Sequence, residues 1–222
     1  KKVYDIPITE DQELNEDCEG KYDLSKREQE ATAMEYHETQ GFPVTAMRPA
    51  PIYGPGSYYG IYALFKYVQQ ASLPACPRNM HKKNIPLVHA EDVAGAAIFL
   101  SDPKNFNGEA YNVCDDYDLD MVQTLKFIAH NTGQRMKILL PMPMKLFKPF
   151  LKLFGMWSYA EAKYLRKKVD GKMPVPKLET DTIVYMFGNF YFSNEKLKNA
   201  GYKFRYPDRR MGLMDAIIWY DE

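Results

Sequence analysis

Tyr22-Asp23-Leu24-Ser25-Lys26 opens a run free of Gly and Pro that ends at Gly41-Phe42-Pro43. Val44-Thr45-Ala46-Met47 and the stretch Arg48-Pro49-Ala50-Pro51-Ile52-Tyr53-Gly54-Pro55-Gly56 follow. A helix places residues four apart on one face, so Tyr22 and Lys26 share one. A fixed positive charge within about 4–6 Å of a phenol stabilises the phenolate and brings its titration towards working pH. The pair is therefore a candidate general acid/base, although the same spacing also occurs on solvated helices without function. Gly41-Phe42-Pro43 is a stop signal, and Val44 to Met47 reads as a short buried strand. The prolines after it make a rigid strand exit, since each fixes its own φ and restrains the residue before it.

Outward from this core the pattern alternates. Asp5 to Gly20 is polar and acidic and reads as a loop before the Tyr22 helix. Asp92 to Leu100 places Val93, Ala96, Ala97 and Leu100 at helical spacing, and Asp118 to Thr132 repeats this with Val122, Leu125, Ile128 and Ala129 before Gly133 stops it. Strand-like runs at Val44–Met47, Leu87–His89 and Ala110–Val113 intervene, and this alternation implies a parallel sheet covered by helices. Beyond about Met136 helices and loops are expected.

Three local patterns invite chemistry and fall short of it. Gly54-Pro55-Gly56-Ser57-Tyr58-Tyr59-Gly60 precedes the helical stretch Ile61 to Gln70, the context of a nucleotide loop. Pro55, however, removes a backbone donor, two tyrosines crowd the third glycine, and no acidic residue ends a second strand downstream; a turn after a strand is the better reading. Asp116-Tyr117-Asp118-Leu119-Asp120 resembles a calcium loop, but Met121 replaces the required Gly and Phe127 the closing Glu, so acidic residues favouring the next helix start account for it better. His37, His81, His89 and His130 show no ligand spacing, and His89 reads as a structural histidine at a strand end.

Twenty-nine basic and 29 acidic residues cancel, so no global field favours nucleic acid or an anionic membrane, and a small-molecule substrate is the default. Cys18, Cys76 and Cys114 are odd in number and widely spaced, and no Asn-x-Ser/Thr acceptor occurs, which fits a cytoplasmic, reducing setting. Hydrophobic residues at 45% supply a substantial core, and no stretch of about 18 uninterrupted apolar residues is present.

The Tyr-x-x-x-Lys helix, the strand, and the Arg-Pro-x-x-x-Tyr-Gly-Pro-Gly stretch, in this order, resemble the extended short-chain dehydrogenase/reductase family, also called the NAD-dependent epimerase/dehydratase family. Leu87-Val88-His89-Ala90-Glu91-Asp92-Val93-Ala94, Gly108 to Val113, Phe192 to Leu197 with Gly201-Tyr202, and Gly212 to Tyr220 continue the resemblance. It implies an α/β chain: the C-terminal part of a Rossmann-like parallel sheet interleaved with a small, mostly helical substrate domain. Residues 1–135 would carry the sheet with interleaved substrate-domain segments, and 136–222 mainly the substrate domain. It further implies that the Gly-rich nucleotide-binding half and a catalytic Ser or Thr, expected just before Lys1, lie outside these 222 residues. The fragment alone is then expected to be inactive.

By the same resemblance the cofactor is NAD or NADP. Lys26 would activate Tyr22 and hydrogen-bond the nicotinamide ribose; Pro49, Ala50 and Ile52 would line the nicotinamide pocket; Pro51 and Tyr53 would meet substrate. Many members acting on nucleotide sugars carry Asn at the Pro51 position and an Arg shortly before the His89 position, here Ile85. Loss of both polar groups favours an apolar substrate of the kind that hydroxysteroid dehydrogenases and dihydroflavonol reductases take. Pro141 to Trp157, with Lys145, Lys148 and Lys152 on one side, is cationic and amphipathic, and packing, a pocket lid and membrane contact all remain open for it. The Tyr22 helix is a candidate homodimer contact. A non-catalytic interaction or scaffold module is the alternative to an enzyme.

Overall fold

The computed structural model describes residues 7–12, 21–57, 61–70, 75–78, 83–105, 107–139, 141 and 189–221. In chain order the elements are α1 (Lys21–Gln40), β1 (Ala46–Pro49), β2 (Ile52–Tyr53), α2 (Ile61–Gln70), β3 (Ala75–Pro77), β4 (Val88–His89), α3 (Ala90–Leu100), β5 (Ala110–Val113), α4 (Met121–Asn131), β6 (Lys137–Leu139), α5 (Glu195–Asn199) and α6 (Arg209–Asp221). The amphipathic stretch after Pro141 lies outside the described residues.

Strands pair in parallel: β1 with β5 from Ala46↔Ala110 to Pro49↔Val113, β2 with β4 through Ile52↔Val88 and Tyr53↔His89, and β3 with β6 through Cys76↔Ile138. The chain is thus an α/β fold with parallel strands. β1 starts two residues later than the apolar run suggests. Its ladder begins where Ala46 N–H meets the Glu109 carbonyl, while Val44 offers only its carbonyl, to Gly108 N–H. The β3/β6 pair was not expected, because three-residue strands paired 62 positions apart leave no local periodicity.

Successive strand residues face opposite sides, and two apolar clusters form accordingly. Leu87 joins Tyr53, Ile85, α2 (Ile61, Leu64, Phe65, Val68), α4 (Met121, Val122, Leu125, Ile128) and α6 (Leu213, Ala216, Ile217). Val88 joins Ala50, Val113, α3 (Ala96, Leu100) and Leu197 of α5. The α2 stripe has the i, i+3, i+4, i+7 spacing of a one-sided helix, and each such buried side chain contributes about 1.5–3 kcal/mol.

Helix ends follow their capping chemistry. Asp120 and Gln123 form a reciprocal capping box at 2.8 Å in both directions, so the last acid of the Asp116–Asp120 run is a helix start. Gly133 at φ 72° closes α4, with Gln134 N–H on the Ala129 carbonyl at 2.7 Å. Gly41 at φ 67° ends α1 in the same left-handed conformation.

Buried charges join the parts. The Arg209 side chain is fully buried and Asp115 is 2% exposed; the guanidinium donates to both Asp115 oxygens at 2.6 Å and to the Leu119 and Ile85 carbonyls at 2.9 Å. Burial pushes the Asp115 carboxyl up while the guanidinium opposes it, and Arg209 stays protonated against its own burial because of Asp115. Asp92, buried at the start of α3, accepts from the Arg205 and Tyr206 amides at 2.6 and 3.0 Å and so fastens the loop before α6.

Candidate active site at the strand exit

Helix α1 forms on propensity more than on burial: its 20 residues contain no Gly or Pro and are rich in Glu, Lys, Gln and Ala, and most are exposed. Two anchors fix its direction. The His37 ring lies against Gly108, which bonds Val44 just before β1, and Arg48 near the end of β1 reaches Glu30 with Nε at 3.0 Å and Nη2 at 2.5 Å. The Glu30 hydrogen bond raises Arg48 above its ordinary value, and Arg48 Nη1 also holds the Glu10 carbonyl at 3.2 Å. The helix therefore runs antiparallel to the strand.

One more turn from Glu30 towards the helix start reaches Lys26, roughly 6 Å along the axis, and two residues beyond Arg48 reach Ala50, roughly 6.6 Å along the strand. Tyr22 and Lys26 thus lie at the same end as Pro49 to Tyr53. Tyr22 is 71% exposed, and Lys26 Nζ sits 5.9 Å from its ring centroid while donating to Gln29 Oε1 at 3.1 Å. The two side chains share a face. The ammonium is over the ring rather than on the hydroxyl.

Within the strand exit, Pro49 and Ile52 are exposed, Pro51 is half-buried and Ala50 is buried. Pro49 and Ile52 are thus the apolar residues of this stretch that face out. Tyr53 stands elsewhere: it is fully buried in the core, edge-on to His89 with centroids 5.4 Å apart, its hydroxyl without a partner among the described residues. Burial pushes that phenol far up, so it stays neutral. Ile85, the position compared with a phosphate-binding Arg, is 1% exposed inside the core rather than on a pocket wall.

His89 caps α3. Its Nδ1 accepts from Glu91 N–H at 3.3 Å, so the hydrogen bonds assign the proton to Nε2, which donates to Asp215 Oδ2 at 3.2 Å. Burial pushes this imidazole below its ordinary value, with Asp215 opposing. In the window below about pH 6.5 the unfolded chain binds the proton that the folded chain refuses. Stability is therefore full above that pH and falls below it, by up to about 1.4 kcal/mol per pH unit. Denaturation midpoints at about pH 7.5 and 5.5 are expected to differ less in His89→Gln than in the wild type; equal differences would exclude His89 as the source.

Sequence reasoning missed Arg209, Asp115, Asp92 and Asp215, which bond partners 90 to 126 residues away. Among the described residues no group of three or more His, Cys, Asp or Glu is placed to hold a metal, and no helix is long and apolar enough to cross a membrane.

The model of the NAD dependent epimerase/dehydratase family matches residues 2–114, just over half of the chain. The chain belongs to this family. No curated protein matches it in sequence. Among solved structures, this epimerase/dehydratase member is similar to gox2253 at 19% identity and TM-score 0.64, covering 97% of this chain and 61% of that one. It is also similar to dTDP-glucose 4,6-dehydratase from Bacillus anthracis in complex with NAD, at 18% identity and TM-score 0.61, covering 96% and 55%. UDP-N-acetylglucosamine 4-epimerase from Methanobrevibacter ruminantium, in complex with UDP-N-acetylmuramic acid, aligns at 14% identity and TM-score 0.63, covering 97% and 57%. These likenesses establish the Rossmann-type fold, and the epimerase/dehydratase chain spans about 55–61% of the first two structures' lengths.

Proposed function

We propose that this chain is part of an NAD- or NADP-dependent oxidoreductase or epimerase that moves hydride at a carbinol or carbonyl carbon. The supporting observation is the antiparallel anchoring of α1 on β1, which leaves Tyr22, Lys26, Pro49 and Ile52 exposed at one end of the strand pair. The dinucleotide supplies hydride acceptance and donation when bound. Tyr22 gives or takes the hydroxyl proton as general acid/base, and Lys26 holds positive charge beside it and bonds the nicotinamide ribose. Pro49, Ala50 and Ile52 line the nicotinamide. The buried position of Tyr53 supports a part in the core rather than at substrate.

For the substrate, Pro51 and the exposed Ile52 favour an apolar alcohol or ketone. A nucleotide sugar is the second reading, supported by the dehydratase and epimerase among the structural neighbours. Ile85, being a core residue, bears on neither. Product formation by the natural full-length protein, with NAD or NADP and with dTDP-glucose, UDP-N-acetylglucosamine or a 3-hydroxysteroid, tests both: steroid turnover alone supports the apolar pocket, and sugar-nucleotide turnover alone overturns it. The 222 residues contain no Gly-x-x-Gly-x-x-Gly loop, and by themselves they are expected to show no NAD or NADP binding at millimolar concentration in calorimetry; saturable binding would contradict that.

Exposed Leu24 and Tyr36 on α1 support homodimer formation through this helix, checked by light scattering. The free, buried thiols Cys76 and Cys114 are in keeping with a cytoplasmic location.

A further inference from the structure

Helix α6 touches the strand exit at three places along its length. Gly212 faces the Tyr53 hydroxyl so closely that a Cβ there would collide with it. Asp215 takes the Nε2–H of His89, the register partner of Tyr53. The Tyr220 hydroxyl donates to the Ser57 carbonyl at 2.8 Å and the Gly54 carbonyl at 3.2 Å. Those two carbonyls bound a turn that Ser57 N–H closes on Gly54 at 3.1 Å.

This turn needs outside support. Gly54 and Gly56 sit at φ 123° and 81°, where glycine has its widest freedom and loses most entropy on being fixed. A Cβ on Gly54 would also strike the His89 ring, so His89 acts as the stop against which the turn rests. Tyr220 itself is held by ring contacts with Tyr62 and Phe65 of α2, at centroid distances of 4.9 and 5.1 Å.

We propose that α6 is a positioning element for the strand exit, with Tyr220 the residue that clamps the Gly54–Ser57 turn and keeps Pro49 to Ile52 preordered for the nicotinamide. The cofactor part of this inference rests on the reading of Pro49, Ala50 and Ile52 as nicotinamide-lining. Tyr220 touches no reacting atom; it acts through the turn, by reducing the ordering that cofactor binding would otherwise require.

The test compares wild type, Tyr220→Phe and the core truncation Ile128→Val in the natural full-length protein. Two quantities are read: the Kd for NADH and NADPH by fluorescence titration, and amide hydrogen exchange across residues 50–57. Tyr220→Phe is expected to weaken the preferred dinucleotide about 3–10-fold, the factor that one lost hydrogen bond supports, and to speed exchange across the turn. Ile128→Val is expected to lower overall stability and move neither quantity. Unchanged exchange in Tyr220→Phe, or an equal change in Ile128→Val, overturns the clamp. Faster exchange with unchanged Kd overturns its role in cofactor affinity. If wild type binds neither dinucleotide, the nicotinamide reading fails, while the exchange comparison still decides the clamp.

Discussion

Arg209→Met lowers folding stability by about 3–5 kcal/mol, the cost of removing one partner from a buried ion pair. The methionine nearly fills the volume but cannot donate. Asp115, 2% exposed, then keeps a buried carboxylate without its cation, and the Leu119 and Ile85 carbonyls lose their donor. These groups belong to the exit of β5, the approach to α4 and the entry to β4, so one substitution at the start of α6 loosens three joints. Urea denaturation checks it. Removing both charges with Arg209→Met and Asp115→Leu should recover part of the loss, because a hydrophobic replacement leaves no unpaired charge behind. Arg210 provides the contrast. It pairs with Asp118 and Asp208 in a half-exposed position, and Arg210→Ala should cost less than about 1 kcal/mol. Equal losses at Arg209 and Arg210 would contradict this account of the core.

The sequence reached the parts of this structure whose cause is local. Gly41 and Gly133 stop helices because a left-handed residue is needed there, and the strand-like run Ala110–Val113 is a strand buried on both faces. That Tyr22 and Lys26 share a helix face was legible for the same reason, since four-residue spacing is a property of one helix. What escaped depends on distant partners. Arg209 reads as one of two adjacent arginines, and nothing nearby says that Asp115 waits 94 residues earlier. Strands β3 and β6 are too short to carry a period, and each is defined by the other. Ile85 was compared with a ligand-binding arginine, yet it precedes a fully buried strand entry and belongs to the core with Leu87. Tyr53 sits in the motif that suggests substrate contact, and its alternation with Ile52 turns it inward while Ile52 faces out.

The second large effect concerns chemistry. Tyr22→Phe keeps the ring, the helix and the Lys26 contact, and removes only the hydroxyl proposed to exchange the proton. General acid/base transfer of this kind contributes about 10²–10⁴-fold to rate, so turnover should fall by that factor. Cofactor affinity should stay within about two-fold, since the stretch from Pro49 to Ile52 proposed to line the nicotinamide is untouched. A change that raised Kd in parallel with the loss of rate would point to a structural part for Tyr22 instead.

The most direct measurement is therefore turnover of wild type and Tyr22→Phe in the natural full-length protein, with the Kd for NADH or NADPH determined on the same samples. The account predicts a loss of turnover with cofactor binding intact; unchanged turnover in Tyr22→Phe would contradict it.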